Sequence, residues 1–378
     1  MINSVTLKNF RGFSDTTVPL SQVTMLTGTN GVGKTSVLEG LYCLFSETRL
    51  DVSFLERYKR TVEIVHLNHF NGMQSFPVLH PTYNYRLFWQ ECPMNSEETC
   101  CISATDDKII WKWTYKKTNT SDIDKRLFRD FDLMNVPASI DVALFNWQHQ
   151  EASTDKKTNA RNSNNFDRAQ ILNPDGVLRL ISPQKINLKW SICRYIDFAS
   201  IRAMPQKLPH QTAKRLTKEL KTINPRITDV RISNIENGLS VILDDNIETT
   251  LATIGNGAVA WASVLISIFE LNEQCKNIPE TNMPILILID EIGAGIHYSI
   301  MNDLWKYIRD FVEEYPNIQF VTTSHSDDCV LSFCEVFENT DAASVVRLHK
   351  TYDNEIITTL YDKSNFETIM SGEWEVRG

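Results

Sequence analysis

The run Gly28-Thr29-Asn30-Gly31-Val32-Gly33-Lys34-Thr35 constrains the fold more than any other part of the chain. Its spacing, G-x-x-x-x-G-K-T, works only as a loop between a strand and a helix. Glycines free successive backbone N–H groups to point inward, and the helix that follows turns its positive end to the same point. The flanks supply both elements. Val23 and Met25 alternate as a strand before the loop, and Val37, Leu38, Leu41, Leu44 and Phe45 recur at helical spacing after it. The pattern predicts a phosphate cradle made by Asn30, Gly31, Val32, Gly33, Lys34, Thr35 and Ser36. In it Lys34 reaches the β- and γ-phosphates of ATP, and the Thr35 hydroxyl ligates Mg2+.

Later segments supply the rest of a hydrolytic site. Five aliphatic residues, Ile285 to Ile289, end in Asp290-Glu291, which places two carboxylates at the carboxyl end of a buried strand. Asp290 is suited to hold the metal and Glu291 to polarise the attacking water. His325 closes another apolar strand within Thr322-Thr323-Ser324-His325-Ser326, where it can donate a hydrogen bond to the γ-phosphate. His297 reads as a surface or interface residue. Gly255-Asn256-Gly257 opens a further helix and forms a second anion site, or else a simple turn. This chain's own phosphates already have a cradle, so that second site would serve a nucleotide held by another subunit.

In this order the motifs resemble the ABC-type ATPases, and more closely their RecF-like and OLD-like (overcoming lysogenization defect) branch, as found in stand-alone anti-phage ATPases. Val5-Thr6-Leu7-Lys8-Asn9-Phe10-Arg11-Gly12-Phe13 is similar to that branch's opening strand and turn, which puts Arg11 among the nucleotide contacts. Gly28–Ser36 resembles its Walker A motif and Ile254–Gly257 its degenerate signature. Ile289–His297 resembles its Walker B and D-loop, and Gln319–Ser326 its switch-histidine segment. Arg347-Leu348 and the terminal Glu375-Val376-Arg377 are similar to the ending of stand-alone members. Gly293 departs from the pattern, standing where an acidic D-loop residue is common. For the Q-loop glutamine the candidates are Gln74 and Gln90.

The resemblance implies an α/β fold: an ABC-type ATPase core, with a mixed sheet and a P-loop helix, interrupted by an inserted α+β lobe. The expected boundaries are 1–50 for the first half of the core, 51–205 for the lobe and 206–378 for the second half. It also implies ATP and Mg2+ as cofactors and a homodimer closed around ATP. A separate effector protein encoded nearby, such as a nuclease, would be under its control in bacterial anti-phage defence. Two other functions stay open, a RecF-like ATPase handling DNA ends and an ATP-gated scaffold with little turnover. The long interval between Lys34 and Asp290 has no sustained heptads, which argues against long-armed SMC proteins. The stretch after His325 has room for a strand pair and a helix rather than a Toprim nuclease, so Ser326-Asp327-Asp328 reads as a helix cap.

Composition bears on partners. A net charge of −9 and a pI near 5.5 disfavour autonomous duplex binding, although an amphipathic helix over 209–224 carries Lys214, Arg215, Lys218 and Lys221. Eight cysteines without a C-x-x-C pair, no secretory signal and no apolar run long enough to cross a bilayer point to a reduced, cytoplasmic protein. In the lobe, 83–90 and 109–115 read as aromatic strands. Trp111, Trp113 and Tyr115 share a face, and 105–108 forms a hairpin turn between strands. The polar run 149–165 reads as a mobile surface loop. The aromatic strands and this loop are the surfaces offered to an effector, with internal packing as the other role for the tryptophans.

Overall fold

The computed structural model describes residues 1–45, 59–66, 77–83, 99–106, 108–119, 141–151, 168–172, 179–181, 192–197, 208–232, 239–275, 285–297 and 300–372. The chain opens with β1 (Ser4–Phe10), β2 (Phe13–Pro19), β3 (Val23–Thr27) and α1 (Lys34–Phe45). Strands β4 (Lys59–His66), β5 (Pro77–Tyr83), β6 (Cys100–Thr105), β7 (Ile109–Asn119), β8 (Asp141–Glu151), β9 (Arg168–Leu172), β10 (Arg179–Ile181) and β11 (Ile192–Asp197) follow. Next come α2 (His210–Ile223), β12 (Ile227–Ile232), β13 (Leu239–Leu243), β14 (Glu248–Thr250), the single turn α3 (Leu251–Ile254) and α4 (Asn256–Cys275). The chain continues through β15 (Ile285–Asp290), α5 (Met301–Glu314), β16 (Ile318–Thr323), α6 (Asp327–Phe337), β17 (Ala343–Lys350), β18 (Ile356–Tyr361) and α7 (Lys363–Met370).

Contacts divide the chain into two units. The first comprises Met1–Val5, Thr17–Ser46 and Lys189–Gly378, the second Thr6–Thr16 and Glu47–Leu188. The first is built on a six-stranded sheet in the order β11-β15-β16-β3-β17-β18. Every neighbouring pair is parallel except β17 and β18. Strands β3, β15 and β16 are buried along their whole length. Accordingly β15 reads as an unbroken apolar run up to Asp290, whereas β3 and β16 bury Thr24, Thr27, Gln319, Thr322 and Thr323 alongside their apolar residues. Helix α5 buries one face through Leu304, Trp305, Ile308 and Phe311. Trp305 packs edge-on to Phe333 of α6 with centroids 5.0 Å apart, and its Nε1 donates to Cys329 O at 3.2 Å. Gln319, 1% exposed, ties the N-terminus to the sheet: its side chain accepts from Ile2 N at 3.0 Å and donates to Ile2 O at 2.8 Å. A smaller sheet, β12-β13-β14, packs with α2.

The second unit holds most of a seven-stranded sheet ordered β10-β9-β8-β7-β6-β1-β2, and the separate hairpin β4-β5. The β6–β7 turn is closed by Asp106, whose Oδ1 accepts from Lys108 N at 2.7 Å and Ile109 N at 2.6 Å. Trp111 and Trp113 are buried, so these two tryptophans pack the interior of this unit and do not present a docking surface.

Several expectations need correction. Three strands precede the phosphate loop where two are expected. The additional one, β2, is mostly polar, with burial confined to Phe13, Thr16 and Val18. The lobe expected over 51–205 ends earlier, because β11 pairs in parallel with β15 and so belongs to the sheet of the first unit. Residues 6–16 group with the lobe instead of the core. The polar run expected from 149 begins inside β8, and the strand expected over 83–90 begins at the last residue of β5. The remainder of both segments lies outside the described residues. Ser326 does cap α6, its hydroxyl accepting from Cys329 N at 3.4 Å. Among the described residues six cysteines are unbridged thiols, and no helix is long and apolar enough to cross a membrane.

Candidate nucleotide-binding and hydrolysis site

The Gly28–Thr35 loop, the Asp290-Glu291 pair and His325 lie at the carboxyl ends of β3, β15 and β16, three adjacent strands. Open α/β sheets bind ligands at that edge. Gly28, Gly31 and Gly33 take φ values of 131°, 76° and 108°, backbone conformations that glycine reaches without steric cost. Gly28 has a second reason to be glycine, since a Cβ there would lie 2.2 Å from Leu348 O in β17. Thr29, Asn30 and Gly31 are exposed, whereas Lys34 is 6% exposed. Its Nζ donates to Gly28 O at 2.7 Å and Thr29 O at 3.1 Å, so the ammonium is held over the loop that would receive phosphate. Burial pushes the Lys34 ammonium below its ordinary value, and the carboxylates of Glu291 and Asp290 pull it back up.

Asp290 is fully buried, an arrangement a carboxylate tolerates only with hydrogen-bond donors around it. Thr35 Oγ1 is 3.1 Å from both of its oxygens, Thr323 Oγ1 donates to Oδ1 at 2.6 Å, and the Tyr195 hydroxyl donates to Oδ2 at 3.2 Å. Thr35 and Asp290 are 255 residues apart in sequence, yet together they form a hard oxygen donor set of hydroxyl and carboxylate. That set suits magnesium, which prefers one or two carboxylates with water and phosphate oxygens.

Glu291 follows in the left-handed region, with φ 58°, rarely adopted by a residue with a side chain. Its N–H donates to Thr323 Oγ1 at 2.8 Å, and the next N–H, of Ile292, donates to Thr323 O at 2.8 Å. The chain therefore turns sharply, and the Glu291 side chain meets His325, with Nδ1 2.8 Å from Oε2. Both groups stand at the accessible rim of the site, with side chains 31% and 56% exposed for Glu291 and His325. Such a carboxylate has one oxygen engaged by the imidazole and the other available to a water molecule.

The AAA ATPase domain profile matches residues 1–330. The chain belongs to this ATPase family. It is also 21% identical over 403 residues to a protein of Helicobacter pylori (strain ATCC 700392 / 26695) described as an ATP/GTP phosphatase, with 100% of each chain covered. Among solved structures it is similar to the SMC head domain from Thermotoga maritima, with a TM-score of 0.39 and 12% identity over 96% of this chain and 98% of that one. It is similar as well to the recombination mediator protein RecF with ATPrS, with a TM-score of 0.39 and 10% identity over 95% and 98%.

The other expected contacts of this AAA ATPase are distributed differently. Gly255 lies between α3 and α4 with φ 139°, and its carbonyl accepts from Ala258 N at 3.1 Å. Asn256 is the first residue of α4. A Cβ on Gly257 would lie 2.5 Å from Gly295 O, so the start of α4 packs directly on the loop that follows Asp290-Glu291. In that loop Gly293 has φ 90°, and a Cβ there would meet Met301 Cε at 2.9 Å and Cys329 Sγ at 3.2 Å. Any side chain at this position would be strained by the positive φ and would have to displace the end of Met301. Arg11 occupies the turn between β1 and β2 with φ 55°, within the second unit. Gln74 and Gln90 lie outside the described residues. Thr323 and Tyr195, which both donate to Asp290, carry no motif signal of their own: Thr323 lies within the Gln319–Ser326 segment and Tyr195 on a short strand with no motif around it.

Proposed function

We propose that this chain binds ATP together with magnesium and hydrolyses it, with two copies closing around the nucleotide. The observation that carries the reading is the convergence of Thr35 with Asp290, beside the Glu291–His325 pair. Thr35 and Asp290 would hold magnesium, which when bound would supply positive charge against the negative charge developing on the phosphates. Lys34 would exchange its two loop carbonyls for phosphate oxygens, and the loop amides would fix the chain of phosphates. Glu291 would take the proton of the attacking water. His325 would hold that carboxylate in place and leave it for the γ-phosphate as the site closes. Gly255, Asn256 and Gly257 would receive the γ-phosphate of the second copy.

Lys34→Ala tests the reading. Loss of the ammonium should abolish ATP binding, measured by equilibrium titration with a fluorescent ATP analogue, and turnover should vanish with it. Wild-type hydrolysis by the purified variant would sink the assignment.

The biological setting we infer is control of a separate effector in anti-phage defence, supported by the resemblance of the opening segment and the degenerate signature to that branch. Co-purification from the native operon and phage challenge with and without Lys34 test it. A DNA-handling role has one observation in its favour, the exposed Lys214, Arg215, Lys218 and Lys221 on α2. Tight, steeply salt-dependent binding to gapped DNA by a chain that purifies alone would favour this second reading.

A further inference from the structure

The carboxylate of Asp290 is oriented by more than the phosphate loop. Thr35 Oγ1 is 3.1 Å from each carboxylate oxygen, so that contact alone does not choose a rotation of the group. The choice is made by two hydroxyls on opposite oxygens: Thr323 on Oδ1 and Tyr195 on Oδ2. Tyr195 lies on β11, in register with Leu288 of β15, and its phenol reaches along the strands to the carboxylate at the end of β15. Tyr195 is 4% exposed and its ring packs edge-on against Tyr42 of α1, with centroids 5.8 Å apart at 69°. The hydroxyl is therefore carried on a ring that α1 and the sheet hold in one place.

We propose that Tyr195 is a positioning residue for the metal: its hydroxyl on Oδ2, opposed by Thr323 on Oδ1, sets the plane of the Asp290 carboxylate toward Thr35. Such a partner acts on metal affinity and leaves the phosphate loop untouched. Removing a comparable hydrogen bond to a metal-ligating group weakens metal binding by about 10–100-fold. The proposal rests on the ATP–magnesium reading above, and the experiment separates the two.

The variant is Tyr195→Phe, which keeps the ring and its packing and deletes only the hydroxyl. Affinity for a non-hydrolysable ATP analogue is measured in EDTA and in magnesium, and the ratio gives the contribution of the metal. The ratio should fall about tenfold in Tyr195→Phe with the EDTA affinity unchanged. The electron paramagnetic resonance spectrum of Mn2+ bound with the analogue should broaden as the ligand set loosens. In an Asp290→Asn background the same substitution should change nothing further. A wild-type ratio in Tyr195→Phe overturns the proposal while leaving the ATP–magnesium reading intact. An equal loss of affinity with and without metal, or a further loss in the Asp290→Asn background, also overturns it. A wild-type protein indifferent to magnesium overturns both.

Discussion

On the proposed reading Lys34 stands between two demands: it would have to be charged to meet phosphate, and it is buried where charge is costly. Burial holds its ammonium below the ordinary value of 10.5. ATP would raise it again, because the phosphates favour the protonated form. Binding therefore takes up a proton between the two values, and affinity declines as pH rises through the lower one. The same shift acts on stability with a definite sign. The unfolded chain binds the proton more tightly, so the penalty is present at neutral pH and is relieved as pH rises toward 10.5. A titration of ATP affinity in EDTA from about pH 7 to about pH 10 should show the decline beginning earlier than a lysine at its ordinary value would allow. A flat profile over that range would contradict it. Lys34, Thr35, Asp290, Glu291 and His325 are legible in the sequence because each sits at a fixed offset from a glycine loop or a strand end. Tyr195 and Thr323 are not, since what defines them is a neighbouring strand's register, and a single strand does not announce its partner.

Among elements, the contact between α4 and the loop after β15 is the one most sensitive to substitution. Gly257→Ala would place a methyl group 2.5 Å from Gly295 O and 3.3 Å from Ile296 Cα, both backbone atoms that no rotamer change can move aside. The expected cost is about 1–3 kcal/mol, read as a lower melting temperature of the nucleotide-free protein. A wild-type melting curve would mean that the two segments do not approach so closely. Elements with strong periodicity were legible: α1, α2, α4, β15 and β16 appear where their apolar patterns place them. Strand β2 was not, because its polar Ser14, Asp15 and Thr17 are exposed and leave little alternation to read. Strand β11 falls within the expected lobe for a different reason. It is first in sequence after the insertion, and only its pairing with β15 shows which sheet it serves.

For the whole molecule, the decisive prediction concerns assembly. Glu291→Gln keeps the shape of the side chain but cannot take the proton of the attacking water, so ATP should bind and persist. If two copies close around nucleotide, this variant with ATP should sediment as a larger species than without it, and wild-type protein should do so only transiently. Turnover by Glu291→Gln at the wild-type rate would place the base elsewhere.

The order of the strands also has a consequence for how the protein comes into being. Strand β3 lies between β16 and β17, both near the far end of the chain, and Thr35 meets Asp290 across 255 residues. At about 5–20 residues per second, a ribosome spends about 13–50 s between the two residues. Throughout that interval the five residues of β3, all buried in the finished fold, have neither of their eventual strand neighbours. On the proposed reading the half of the ATP site that contains Asp290, Glu291 and His325 is also still unmade, so nucleotide would complete its contacts only on finished molecules, and a chain arrested in its middle cannot bury β3 in this sheet.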